Sequence, residues 1–61
     1  MQVPIGRQIE CVARELKMRR EVYGRRVAAQ QMTQRKADDE IAAMEAVLAT
    51  LQGIEESERL L

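Results

Sequence analysis

Apolar residues recur along this 61-residue chain at steps of four and three in two separate runs, and no other feature restricts its fold so tightly. Ile5, Ile9, Val12, Leu16, Tyr23 and Val27 follow one another at steps of four, three, four, seven and four. At 100° per residue they share one helical stripe about 60° wide, narrow enough for a single facing helix. Ala37, Ile41, Met44, Leu48 and Leu51 repeat the pattern at steps of four, three, four and three. Both stripes lapse only between Ala28 and Met32. The spacing therefore predicts an all-α fold, an antiparallel two-helix hairpin over about 4–29 and 33–59, forming a single domain from residue 1 to 61 with coiled-coil-like packing. A loop of about three to five residues leaves two long helices no choice but to lie side by side and antiparallel. Folding back near Gln31 sets Tyr23 level with Ile41, Leu16 with Leu48 and Val12 with Leu51.

Local signals place the ends. Pro4 suits a helix's first turn, where its missing N–H costs nothing. Thr33 is a good N-cap, Met32 and Ala37 occupy hydrophobic-staple positions around it, and Asp38, Asp39 and Glu40 stand where a helix dipole would favour them. Gly6 and Gly24 each cost about 1 kcal/mol relative to alanine inside a helix, so fraying near the start and a soft spot beside Tyr23 are expected. Gly53 interrupts the second helix's preference, and the pattern resumes beyond it to about Arg59. On the outer side of the first helix, Glu10 with Arg14 and Glu21 with Arg25 have the favourable i,i+4 order.

The two halves carry opposite charge. From Met1 to Val27 there are seven Lys/Arg against three Asp/Glu, and from Thr33 to Leu61 three against seven, giving +4 and −4. A chain this short rarely draws more than about 3–5 kcal/mol from one apolar core, so a staple or a second chain is expected. The single cysteine excludes an intrachain disulfide, and with no histidine present a structural zinc site is disfavoured. No stretch approaches the roughly 18 apolar residues of a membrane span, and Met1 to Glu10 lacks a secretory h-region. The expectation is a cytoplasmic protein without membrane contact.

Association remains as the source of stability. Ala43, Val47, Ile54 and Leu61 widen the apolar arc of the second helix to about half its circumference, more than one neighbour covers. Cys11, Met18 and Val22 form a smaller patch on the first helix, about 120° from its main stripe. These seven residues are the candidate partner interface. If both patches lie on one side of the hairpin, a second copy closes a homodimeric four-helix bundle.

Chemistry-bearing groups are sparse. A two-helix hairpin has no concavity of its own, there is no Gly-rich phosphate loop, and Ser57 lies among glutamates with no base to activate it. No catalytic residue, cofactor or small-molecule substrate is indicated, and the chain reads as a non-enzyme. Asp38, Asp39 and Glu40 are consecutive and point in three directions, unlike a metal site. Cys11, on an apolar edge without a resolving cysteine, reads as a small interfacial hydrophobe. Tyr23, the sole aromatic, belongs to the core stripe with its hydroxyl turned to solvent or a loop carbonyl. The basic residues Arg7, Arg14, Lys17, Arg19, Arg20, Arg25 and Arg26 are candidate phosphate contacts for a nucleic-acid alternative. Interleaved glutamates and helices too long for a helix-turn-helix reader count against sequence-specific recognition.

The run Gln8-Ile9-Glu10-Cys11-Val12-Ala13-Arg14-Glu15, then Met18-Arg19, Val22-Tyr23, Met32-Thr33, Ala37-Asp38 and Glu40-Ile41-Ala42-Ala43-Met44-Glu45-Ala46-Val47, resembles a family of small uncharacterised proteins of bacteriophages and prophages of proteobacteria. The likeness covers about Pro4 to Leu51. Family members typically have proline where this chain has Gly24 and glycine near Gln30, and this chain departs from both. The resemblance implies a phage origin and a host-cell cytoplasm, and transfers no catalytic or binding residue. A binding module that engages a protein partner is the expected function, with non-sequence-specific nucleic-acid binding through the first helix as the alternative.

Overall fold

A computed structural model describes residues 2–60. Two α-helices make up the fold, α1 over Ile5–Ala28 and α2 over Gln34–Leu60, packed antiparallel into a hairpin measuring 48 × 19 × 16 Å. Pro4 lies one residue before the helix, with φ −55° and ψ 147°, and its carbonyl accepts from the N–H groups of Arg7 and Gln8. The Gln8 side chain reaches back to donate to the Val3 carbonyl at 2.8 Å, which ties the entering strand of chain to the first turn. α1 runs unbroken through Gly6 and Gly24, and α2 through Gly53, so the expected soft spots do not interrupt either helix.

α1 stops in a Schellman turn. The Gln31 N–H donates to the Arg26 carbonyl at 2.8 Å and the Gln30 N–H to the Val27 carbonyl at 3.0 Å, which occupies carbonyls that the helix end would leave free. This geometry requires a left-handed residue at Gln30, and its φ is 60°, the only positive value at a non-glycine position among the described residues. Thr33 then starts α2: its Oγ1 accepts from the Lys36 N–H at 3.1 Å and its carbonyl from the Ala37 N–H at 3.1 Å.

With Thr33 as cap, the first turn of α2 holds Gln34, Arg35 and Lys36 and no acidic residue. The dipole expectation for Asp38, Asp39 and Glu40 is corrected accordingly, because the effect fades beyond the first turn. Asp38 instead accepts from Gln34 Nε2 at 2.8 Å, and Glu40 pairs with Lys36 at 2.8 Å.

All eleven residues of the two sequence stripes lie in the seam, Leu16 and Ala37 buried and the other nine half-buried. The register is visible in what crosses the seam. Arg20 Nη2 meets Glu45 Oε2 at 2.6 Å, Val12 and Leu51 line one groove, and Tyr23 and Ile41 line another. Among the described residues two buried side chains make a thin core, because each helix has one neighbour and its remaining circumference faces outward.

Candidate protein interface

The residues of the expected interface separate into exposed and half-buried positions. Cys11, Met18, Ala43, Val47 and Ile54 are exposed, Val22 is half-buried, and Leu61 lies outside the described residues. Met18, Val47 and Ile54 keep 49%, 47% and 45% of their surface in solvent, large fractions for side chains of their size.

Geometry brings part of this set together. Cys11 from α1 and Val47 from α2 line one open groove with Val3, Val12 and Leu51, and Arg7 and Gln8 form its polar edge. A neighbouring groove at the same end, where Val3 and Leu51 recur, adds Ile5 and Ile54. Cys11 and Val47, one from each flanking patch, therefore share a side of the hairpin, whereas Met18, Val22 and Ala43 line neither groove. The sequence reading missed Val3, which precedes Pro4 and belongs to no helical stripe. Its exposure of 48% at the mouth of both grooves comes from the backbone turn at Pro4, and no periodicity signals it.

Charged side chains stand nearer the turn. Glu40 and Glu15 lie close enough to Arg19 to stabilise its positive charge, while the largest influence on that guanidinium is its hydrogen bond to the Tyr23 hydroxyl. Arg19 Nη1 donates there at 3.1 Å, so the Tyr23 oxygen is held by a side chain of its own helix and not by a loop carbonyl. The Lys36 ammonium, bonded to the Glu40 carboxylate, holds that carboxyl below the usual range, and Lys36 is raised in return.

The seven basic side chains of α1 are all exposed. Arg20 is committed to Glu45 and Arg19 to Tyr23. Neither Glu10–Arg14 nor Glu21–Arg25 closes into an ion pair; the i,i+4 pairs formed are Lys36–Glu40 at 2.8 Å and the loose Arg59–Glu55 at 3.9 Å, both in α2. Exposed pairs gain too little in water to hold two long side chains in place. Among the described residues no three Cys, Asp or Glu side chains converge as metal ligands would, and no helix is long and apolar enough to cross a membrane. No protein-family model, curated protein or solved structure matches the chain.

Proposed function

We propose that this hairpin is a protein–protein interaction module that works as a homodimer, closing a four-helix bundle, with no catalytic activity of its own. One observation carries the reading: an exposed apolar surface of Val3, Cys11, Val47 and Ile54, bordered by half-buried Leu51, accompanies a core in which, among the described residues, only Leu16 and Ala37 are buried. A single hairpin with so little burial has scant surplus over its chain entropy, and covering that face supplies the missing apolar contact. The faces left exposed by the dimer, dense in charge, then serve a protein partner. Origin in a phage or prophage and action in a bacterial host's cytoplasm extend the sequence resemblance.

Light scattering tests this directly. The wild-type chain is expected at twice its 7.0 kDa mass, and Val47→Glu, which sets a carboxylate in the apolar contact, at the monomer mass. A folded wild-type monomer at high micromolar concentration would refute the proposal.

A second reading rests on Arg7, Arg14, Lys17 and Arg25, which lie exposed within a sector of about 80° on α1 at 3.6 residues per turn and suit phosphate contacts. Glu10 and Glu21 fall inside that sector and weaken it. Duplex and single strands titrated at two salt concentrations decide the matter, because phosphate contacts must weaken steeply with salt.

A further inference from the structure

Building on the homodimer reading, we infer that the two copies stack face to face with both turns at the same end, α1 of each lying on α2 of the other about a two-fold axis parallel to the helices. Two flat hairpins stacked on one face admit two simple symmetric arrangements. An axis parallel to the helices superposes α1 on the partner's α2 and keeps both turns together. An axis across the helices superposes α1 on the partner's α1 and sends the turns to opposite ends. Both are antiparallel at every contact, so helix packing alone does not choose between them.

The charge of the two helices and the layout of this face both favour the first. The halves carry +4 and −4, so the parallel axis sets each basic helix on an acidic one, whereas the crossed axis sets like on like twice. The face is also polarised along its length. Its apolar grooves run from Val3 to Val47 toward the end away from the turn, and Arg19, Lys36 and Glu40 lie nearer the turn. Turns together, the apolar end meets its own copy, and Arg19 approaches the partner's Glu40. Turns apart, the far end of each groove, at Val3 and Cys11, would face the partner's Arg19, Lys36 and Glu40, and those charges would lose water without an apolar gain.

Distance across the turns reads the arrangement. Gln31, exposed at the tip, is replaced by a ketone-bearing amino acid carrying a nitroxide, which leaves Cys11 native, and the spin–spin distance is measured by pulsed electron resonance at a concentration where light scattering gives the mass. Neighbouring bundle helices stand about 8–10 Å apart, so turns at one end give a distance of about 20 Å. A 24-residue helix spans about 36 Å, so turns at opposite ends give 40 Å or more, near the 48 Å length of the hairpin. A dimer with the short distance, repeated with the label at Ala29, supports the inference. A dimer with the long distance overturns this arrangement and leaves the homodimer standing. A monomer mass for the unlabelled chain overturns both.

Discussion

Gln30→Gly has opposite consequences for the hairpin and for a continuous helix. In the hairpin, Gln30 sits at φ 60° between the two Schellman hydrogen bonds, a conformation in which its Cβ crowds the following carbonyl. That crowding costs an L-residue about 1–2 kcal/mol, and glycine escapes it. Against this, glycine frees the unfolded chain by about 0.4–1 kcal/mol. The net expectation is a stabilisation of about 1 kcal/mol, or a rise of about 4–8 °C in Tm for a domain of this size. In a single rod running through residue 30 the same substitution would lower stability by about 1 kcal/mol. Circular dichroism melts at 222 nm give the sign, compared at one protein concentration because the proposed dimer would make Tm depend on it. Gln30→Val is the companion variant, since a branched side chain is worse tolerated at positive φ, and it should melt below wild type. A lowered Tm for Gln30→Gly, or an unchanged one for Gln30→Val, would refute the left-handed turn and with it the hairpin.

Thr33→Ala removes the hydroxyl that accepts from the Lys36 N–H and should cost about 1 kcal/mol in denaturant unfolding, whereas Thr33→Ser should recover most of it. Gly24→Ala and Gly53→Ala place a methyl group where nothing lies within 4 Å, so each is expected to stabilise by about 1 kcal/mol through helix propensity alone. A loss at Gly24 would mean that a partner packs against that site. Glu40 should titrate below an ordinary glutamate in carbon-detected NMR because of Lys36, and Lys36→Met should return it to the usual range. Because folding lowers that pKa, the pair's contribution is present at neutral pH and disappears as pH falls through the folded value. An unshifted Glu40 in the wild type would count against the Lys36 contact.

The helices, their register and the seam were legible in the sequence for one physical reason: a helix with a single neighbour must bury a narrow stripe, and a narrow stripe leaves a sharp period. Tyr23 with Ile41 and Val12 with Leu51 could be paired by counting back from the turn, because both helices rise equally per residue. The turn itself was legible only in part. Thr33 announces a cap through its hydroxyl, but Gln30 carries no mark of its left-handed backbone, since glutamine is not the residue that favours it. The misplaced electrostatics have a different cause. With Thr33 read correctly as the cap, Asp38 to Glu40 already lie beyond the first turn where the dipole acts, and the exposed pairs of α1 depend on side-chain freedom that spacing does not encode.

The candidate interface lies between these cases. Periodicity gave the directions of Cys11 and Val47 on their separate helices, and only the packing of the hairpin brings those directions into one groove. Val3 joins them through the extended backbone at Pro4, outside any helical period. Among the described residues the core buries two side chains while the flank exposes Val3, Met18, Val47 and Ile54, the distribution that the proposed bundle would cover. Its charge has the same division, basic on one helix and acidic on the other, and the proposed second copy, turned about the helix direction, would satisfy both patterns at once.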